Sequence, residues 1–245
     1  MIFLDTRSFR DNLLKTDEYG SPGKERYIPN QDSTLTILGY EQWSWLQEKL
    51  NTGCDFRIII SSIQFLPIGH GWESWNNFPY ERLKLIKMIE NTTIKNTIFI
   101  SGDRHRGGFY KKPVKKGYNI YEITSSSLNA SFTNKEEYGP LRLGKTYIEE
   151  NYGSISISSS KGEVLVDLMN IKGETLKSIK INNWQDHKSL NKEKVFNWLG
   201  LPVQIGNRLQ VTNETTISLR DYSKEIYILK AAYGDKVKEV KVIKD

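Results

Sequence analysis

The chain has 245 residues, of which 38% are hydrophobic, and its 6 Trp, 13 Tyr and 9 Phe can fill the core of one larger domain or of a medium domain with a small appendage. This composition excludes an intrinsically disordered chain, and the sequence has no apolar run long enough to predict a membrane-spanning helix. The net charge of +6 comes from basic residues spread among acidic ones, which favours a solvated surface over a nucleic-acid-binding face.

The first 100 residues alternate predicted strands and helices. Residues 1–4 are typical of the end of a strand, and apolar runs at 56–60 and 97–100 predict strands buried on both faces. Residues 12–32 predict a long polar loop. Apolar residues at helical spacing predict two helices, the second beginning at Pro79. Their predicted apolar faces consist of Tyr40, Trp43, Leu46 and Leu50, and of Leu83, Ile86 and Ile89.

Beyond residue 117 the pattern changes to strands. Apolar runs, several of them alternating, predict strands at 118–124, 154–158, 163–168 and 176–181. Alternating strands and helices followed by β structure are typical of a layered α/β sandwich. The last part, from about residue 191 to 245, contains further short strand patterns and predicts a separable small β domain.

A carboxylate and an imidazole follow the strand at 97–100 directly, in the segment Ser101-Gly-Asp103-Arg-His105. Ligands of open α/β sheets gather at the carboxyl ends of the strands, so both side chains can face one cleft. Their oxygen and nitrogen donors suit Fe, Zn or Mn, and Ca is possible where oxygen predominates. On this spacing alone, an ordinary surface pair stays open as the alternative.

Seven segments resemble, in the same order, the signature segments of one family, the alkaline phosphatase D (PhoD-like) metallophosphatases. The resemblance covers residues 1 to about 183, and we expect the family's domain over 1–185. The segments are Leu4–Arg10 (LDTRSFR), Leu38–Leu46 (LGYEQWSWL), Ser61–Gln64 (SSIQ), Gly71–Leu83 (GWESWNNFPYERL), Ser101–His105 (SGDRH), Tyr121–Ser127 (YEITSSS) and Asn151–Gly153 (NYG).

The resemblance implies a metallophosphoesterase fold, which is a four-layer αββα sandwich. It implies hydrolysis of phosphomonoesters or phosphodiesters by a metal-bound hydroxide, with two or more ions of Fe, Ca, Zn or Mn. The family's first metal-binding motifs lie upstream of the segment that begins at Leu4, so we expect this chain to begin partway through the catalytic domain and to be doubtful as a catalyst alone. A non-catalytic remnant and a nucleic-acid-binding protein are the alternative functions.

Carried over to this chain, the resemblance makes Asp103 and His105 metal ligands and counts His105 among the catalytic residues. Arg7 becomes a catalytic and substrate-binding residue whose guanidinium donates two parallel hydrogen bonds to the phosphate. A structural salt bridge from Arg7 to Asp5 or to a buried carboxylate is an equal alternative. For Trp72 and Glu73 a structural role is favoured.

Three further features carry weaker predictions. Related folds place a metal-binding His after the strand at 56–60, and His70 could replace it here, although a solvent-exposed His70 is favoured. The single Cys54 is predicted to be a buried thiol. The basic run Lys111–Lys116 could draw anionic substrates to the cleft or form an exposed hairpin tip.

Residues 191–245 resemble the C-terminal sorting domain of proteins exported by the type IX secretion system. The matching segments are 195–203 (VFNWLGLPV), 225–229 (EIYIL) and 237–244 (VKEVKVIK). The resemblance implies that secretion machinery is a partner and that the parent protein is secreted or lies on the cell surface. The start of the chain does not have the pattern of a signal peptide. A generic β appendage is the alternative.

Overall fold

The computed structural model describes residues 1–182, apart from 55, 93, 95, 96, 115, 116, 134–138, 159 and 160, together with the backbone of strands at 226–233 and 236–243. The chain divides into two compact units, Met1–Asn191 and Lys192–Asp245. Within the described ranges, no helix is long and apolar enough to cross a bilayer.

The first unit alternates strands and helices and then continues in strands. In chain order its elements are β1 (Ile2–Leu4), α1 (Gly39–Asn51), β2 (Arg57–Ser61), a short 3-10 helix (Trp75–Asn77), α2 (Pro79–Asn91), β3 (Thr97–Ser101), β4 (Gly107–Pro113), β5 (Asn119–Ser125), β6 (Asn151–Ser158), β7 (Glu163–Asn170) and β8 (Thr175–Asn182).

The central sheet has five strands in the order β1-β2-β3-β5-β4. Strands β1, β2, β3 and β5 are parallel, and β4 runs antiparallel beside β5. The register places Leu4 opposite Ser61 and Ser101 opposite Thr124. The carboxyl ends of the four parallel strands therefore meet at one edge of the sheet, where ligand sites of such sheets form.

Helices α1 and α2 cover one face of this sheet. Their buried residues pack with residues of β1, β2, β3 and β5 in one core cluster; the helical members are Trp43, Leu46, Leu50, Leu85, Ile86 and Ile89. The carboxylate of Glu81 on α2 joins the two helices, since it accepts hydrogen bonds from the indole of Trp43 (2.5 Å), the hydroxyl of Thr36 (2.8 Å) and the amide of Ile37 (3.0 Å).

Two predicted members of the helix faces are exposed. Leu83 keeps 46% of its surface and Tyr40 keeps 88%. Successive helical residues turn by about 100°, so Leu83 and Leu85 lie on nearly opposite sides of α2, and Leu85 takes the core position. Tyr40 lies in the first turn of α1 and stays outside the core.

The second sheet covers the other face of the central one. It is antiparallel, in the order β6-β7-β8, and the alternating Val164, Val166 and Leu168 of β7 pack against Ile98 and Phe109 of the central sheet. The described layers are thus helices, sheet and sheet, three successive layers of the predicted αββα sandwich. This arrangement confirms the predicted fold class.

The prediction of a buried Cys54 is wrong, because Cys54 is exposed in the connection between α1 and β2. The buried polar side chain of this region is Arg57 at the start of β2. Its guanidinium donates to the carbonyl of Leu50 at 2.7 Å, which ties the end of α1 to the sheet.

The basic run that begins at Lys111 lies away from the edge where the parallel strands end. β4 pairs Gly107 with Ser125 at the carboxyl end of β5, and Pro113 with Asn119 at its beginning. Six residues of strand separate Gly107 from Pro113, a distance of about 20 Å. Lys111 and Lys112 of β4 therefore lie away from this edge. The predicted hairpin tip at 115 and 116 lies outside the described residues.

The second unit contains two described strands, β9 (Ile226–Tyr233) and β10 (Lys236–Ile243). They form an antiparallel pair in which Tyr233 lies opposite Lys236 and Ile226 opposite Ile243. The matching segment 195–203 of the sorting-domain resemblance lies outside the described residues, as do Glu225 and Lys244. The predicted identity of this domain stays a prediction.

Candidate active site

The candidate site lies at the carboxyl ends of the parallel strands, where three loops meet. The loop after β1 carries Arg7, the loop after β2 carries Glu73, and the turn after β3 carries Asp103 and His105. The hydroxyls of Thr6 and Ser62, 2.6 Å apart, join the first two loops. The topology therefore places residues that are distant in sequence beside one another.

A turn built on Asp5 fixes the backbone of Arg7. The Asp5 carboxylate accepts hydrogen bonds from the amides of Arg7 (3.0 Å) and Ser8 (2.9 Å). Hydrogen bonding by the Ser8 side chain, together with these amides, holds the pKa of Asp5 below its usual value. Gln42 of α1 accepts from the Asp5 amide and donates to the Asp5 carbonyl, each at 2.8 Å. The Asp5 carboxylate thus binds the backbone of Arg7, and the predicted salt bridge between the two is replaced by this turn.

The guanidinium of Arg7 bridges two carboxylates. Its Nη2 lies 3.0 Å from Oδ2 of Asp103, and its Nη1 donates to Glu73 at 2.5 Å. Glu73 also binds Arg10. Burial opposes the charged form of Arg7, but the carboxylates of Glu73 and Asp103 outweigh it and raise the pKa of Arg7. The side chain remains 45% exposed, although both Nη atoms are paired with carboxylates.

Asp103 and His105 both adopt left-handed backbone conformations, with φ of 62° and 54°. Such conformations are strained for residues other than Gly and persist where the surroundings fix them. Here the intervening amide of Arg104 donates to the hydroxyl of Ser126 at 3.0 Å, and that hydroxyl donates to the carbonyl of Arg106 at 3.2 Å. Ser126 therefore holds the turn, while the Arg104 side chain is buried and the Asp103 side chain is 40% exposed.

The loop after β5 holds the imidazole of His105. Nδ1 lies 3.3 Å from the carbonyl oxygen of Ala130, and a carbonyl oxygen only accepts hydrogen bonds, so Nδ1 carries the proton in this contact. The ring stacks on Phe132 with centroids 4.7 Å apart and planes 17° apart. This arrangement leaves the Nε2 lone pair of a neutral His105 available to a ligand.

Both side chains carry atoms that could serve as metal ligands. Metal-binding His residues commonly donate their other ring N–H to a carbonyl or carboxylate, as His105 does to Ala130. The carboxylate of Asp103 supplies an oxygen donor. Among the residues that the structure describes, no group of three or more His, Cys, Asp and Glu side chains could hold a metal ion. The assignment of Asp103 and His105 as metal ligands stays a prediction.

The prediction of a solvent-exposed His70 is wrong, because the side chain is buried beneath the loop after β2. Its Nδ1 accepts from the amide of Trp72 at 3.2 Å, so Nε2 donates to Oε1 of Gln64 at 3.1 Å. Burial, followed by the positive charges of Arg104 and Arg106, lowers the pKa of His70 to about 3. Both ring nitrogens are used by the protein, and His70 therefore does not replace the metal ligand that related folds have after β2.

A buried carboxylate beneath the site was not predicted from the sequence. Glu122 of β5 accepts hydrogen bonds from the hydroxyl of Ser101 (2.5 Å) and from the amides of Phe65 (3.0 Å) and Leu66. Burial raises the pKa of Glu122. These bonds attach the loop after β2 to the end of β3, directly before Asp103. The available signal was a lone Glu inside an apolar strand pattern, since such a residue needs several partners to be buried.

Comparisons with known proteins identify a family, a relative and a similar fold. The family model described as PhoD-like phosphatase matches residues 1–175. Alkaline phosphatase D of Bacillus subtilis (strain 168) is 29% identical over 111 residues, covering 42% of this chain and 18% of the relative. A solved structure titled "Structure of PhoD" superposes with a TM-score of 0.54 at 18% identity, over 74% of this chain and 38% of that chain, and so has a similar fold. The chain spans well under half the length of either relative.

Proposed function

We propose that the chain, which belongs to the PhoD-like phosphatase family, takes part in the metal-dependent hydrolysis of phosphate esters. Phosphoesterase activity is the property of the family, whereas the metal dependence and the part played by each residue are our proposal. The observation that carries it is the contact between Arg7 and Asp103, 3.0 Å apart at the ends of two different strands, beside an imidazole whose Nδ1 faces a carbonyl.

In this proposal Asp103, through its carboxylate, and His105, through Nε2, hold a metal ion. The ion is Fe, Ca, Zn or Mn, and the parent enzyme uses two or more. A bound dication would activate water and offset the negative charge of the phosphoryl oxygens. These residues would hold the ion at the edge of the sheet where Arg7 also lies.

Arg7 binds the phosphate in this proposal. A guanidinium presents paired donors that match two phosphoryl oxygens, and the Arg7 side chain is partly exposed for that purpose. Glu73 holds Nη1 of Arg7 and thereby fixes the plane of the guanidinium. Arg10, paired with the same carboxylate, restrains Glu73. The structural roles predicted for Glu73 and Arg7 are thus compatible with a substrate-binding role for Arg7.

The test is hydrolysis of p-nitrophenyl phosphate and bis(p-nitrophenyl) phosphate by the purified chain with millimolar Mn²⁺, Ca²⁺, Fe²⁺ or Zn²⁺. We expect metal-stimulated release of nitrophenol that EDTA abolishes. Asp103→Ala and His105→Ala should each lower it by more than about tenfold, since metal ligands position the reacting groups. Glu48→Ala, at an exposed glutamate near the end of α1, is the control. The proposal fails if neither metal nor these variants change the rate.

The relative rates on the two esters distinguish a monoesterase from a diesterase. A monoester dianion carries more negative charge than a diester, so several nearby cations stabilise it more strongly. If the wild type prefers p-nitrophenyl phosphate and Arg7→Gln loses this preference, Arg7 binds the additional charged oxygen of the monoester. Equal losses on both esters would leave Arg7 as a general phosphate-binding residue.

We propose further that the C-terminal part directs the protein to export by the type IX secretion system, to the cell surface or beyond. The support is the sequence resemblance of 225–229 and 237–244, together with the antiparallel pairing of β9 and β10. Lys236, Lys238 and Lys241 are spaced along β10, and lysines on a strand discourage pairing with further chains.

The export proposal is tested in a host that has the type IX machinery. With a signal peptide placed before Met1, the full chain should reach the cell surface or the medium. A version that ends at Asn191, the boundary of the first compact unit, should remain in the periplasm. Equal distribution of the two versions, with a known cargo exported in parallel, would leave the second unit as a structural appendage.

A further inference from the structure

We propose that Phe132 is a positioning residue that fixes the orientation of the His105 imidazole, and that this orientation determines how well His105 binds a metal ion. The proposal rests on the proposed function, because it assigns Phe132 a part in the same site. Phe132 lies outside every segment that carries the family resemblance, in the loop after β5.

The backbone N–H and the backbone C=O of Phe132 both form hydrogen bonds with the turn that carries His105. Its amide donates to the carbonyl of His105 at 2.9 Å. Its carbonyl accepts from Nη2 of Arg106 at 3.1 Å, and the Arg106 side chain is buried. The Phe132 ring is therefore held in register with the imidazole, and the stacked contact follows from this backbone attachment.

Two contacts restrain the imidazole, the stacking on Phe132 and the hydrogen bond to Ala130. The χ2 torsion of His has broad, shallow minima, so the plane of the ring needs an external restraint. The hydrogen bond from Nδ1 to Ala130 is long, at 3.3 Å, compared with the usual 2.9–3.0 Å. The near-parallel contact with Phe132, at 4.7 Å and 17°, restrains the whole ring plane. With the plane fixed in this way, the hydrogen bond to the carbonyl of Ala130 can select the Nδ1–H tautomer.

A second aromatic ring supports Phe132 from a different loop. The ring centroid of Trp72, in the loop after β2, lies 5.4 Å from that of Phe132. The guanidinium of Arg104 lies over the Trp72 ring at 5.7 Å. Glu73, which binds Arg7, follows Trp72 directly. The stack thus connects the loop that holds the phosphate-binding arginine with the loop that orients the imidazole.

The first experiment determines the tautomer of the His105 imidazole in the absence of metal. Long-range ¹H–¹⁵N spectra of the chain resolve its 3 His, and His105→Ala assigns the signals. We expect the Nδ1–H tautomer for neutral His105 in the wild type and in Phe132→Tyr, which keeps an aromatic ring. Phe132→Leu, which removes the ring face, should give a mixture of tautomers. Phe3→Leu, at an exposed Phe of β1, is the matched control and should resemble the wild type.

The second experiment measures the affinity for Co²⁺ by titration of its visible absorption. Phe132→Leu should weaken Co²⁺ binding by about tenfold, the lower end of the effect of residues that orient metal ligands, and Phe132→Tyr should stay within about twofold of the wild type. In a His105→Ala background, Phe132→Leu should have no further effect. If Phe132→Leu does not fold, Phe132→Met takes its place.

The outcomes separate this inference from the proposed function. An unchanged tautomer in Phe132→Leu, with unchanged Co²⁺ affinity, overturns the positioning role of Phe132. Co²⁺ binding that does not depend on Asp103 and His105 overturns the proposed metal site, and the tautomer measurement then still decides the role of Phe132.

Discussion

At the scale of single residues, Arg7 and a metal ion would compete for the same oxygen of Asp103. The guanidinium lies 3.0 Å from Oδ2 in a pair that is about half exposed, and such pairs stabilise by about 1 kcal/mol or less. In Arg7→Gln we expect Mn²⁺ affinity to rise, by up to about fivefold, while ester hydrolysis falls by at least about tenfold because a phosphate contact is lost.

Calorimetric titration with Mn²⁺ measures the first effect and nitrophenol release the second. Arg26→Gln, at an exposed arginine, is the control for general loss of positive charge. An Arg7→Gln variant that binds Mn²⁺ more weakly than the wild type would show that the guanidinium supports the ligand Asp103 and does not compete for it.

His70 makes the stability of the protein depend on pH. Its pKa is 6.5 in the unfolded chain and about 3 in the folded protein, so below pH 6.5 the unfolded state binds the additional proton. The contribution of neutral His70 is complete above pH 6.5 and is lost as the pH falls toward 3. Between pH 7 and pH 5 the free energy of unfolding should fall by about 2 kcal/mol from this group.

Urea unfolding of the wild type and of His70→Gln at the two pH values measures this contribution. Gln keeps a polar side chain and has no ionisation, so its free energy of unfolding should change less between the two pH values by about 2 kcal/mol. Equal changes in both proteins would mean that His70 is protonated in the folded state.

At the scale of elements, the packing of α1 against α2 depends on Glu81. Its carboxylate accepts from Trp43, Thr36 and Ile37. Glu81→Ala would leave two buried donors, of Trp43 and Ile37, and one partly buried donor, of Thr36, without this acceptor. Since each buried unsatisfied group costs about 1–3 kcal/mol, we expect Glu81→Ala to lower the free energy of unfolding by about 3 kcal/mol or more.

Urea denaturation measures this loss. Glu41→Ala, at an exposed glutamate in the first turn of α1, should change the free energy of unfolding by less than about 0.5 kcal/mol. Trp43→Phe removes one donor and keeps most of the apolar contact, so its effect should lie between those of the two glutamate variants. A Glu81→Ala chain as stable as Glu41→Ala would contradict the role of the carboxylate.

The sequence predicts elements well where one local pattern decides them. Helix α2 begins at Pro79 as expected, and the buried strands β2 and β3 agree with the apolar runs within a residue. Strand β4 (Gly107–Pro113) was not predicted, because it begins with two glycines and ends with a proline, residues that weaken strands. Its conformation comes from pairing with β5, which a local pattern does not contain.

The same distinction applies to the candidate site. The position of Asp103 and His105 at a strand end follows from the adjacent apolar run. The partner of Asp103 is Arg7, 96 positions earlier, and only the parallel arrangement of β1 and β3 in one sheet brings them together. The low pKa of His70 likewise depends in part on the charges of Arg104 and Arg106, which follow another strand. Distant pairings of this kind are fixed by topology.

At the scale of the whole molecule, we expect the number of metal ligands to limit the rate. The described residues contain no group of three or more His, Cys, Asp and Glu side chains that could hold a metal, whereas catalytic metal sites commonly use three protein ligands. We expect the 245-residue chain to turn over p-nitrophenyl phosphate at less than about 1 s⁻¹, below an ordinary enzyme. Steady-state assays with saturating metal measure this rate, with His105→Ala giving the background, and a rate above that value would contradict the expectation.

The left-handed backbone of Asp103 and His105 has a consequence for evolution. Gly adopts this conformation without strain, although it also gives the unfolded chain more freedom. The Asp103 side chain is 40% exposed. Asp103→Gly should therefore lower the free energy of unfolding little compared with a substitution in the core. The same substitution removes the donor atom of the proposed ligand. In a lineage that no longer needed hydrolysis, we therefore expect Gly to replace Asp103 early. Such a protein would keep the fold and lose the proposed activity.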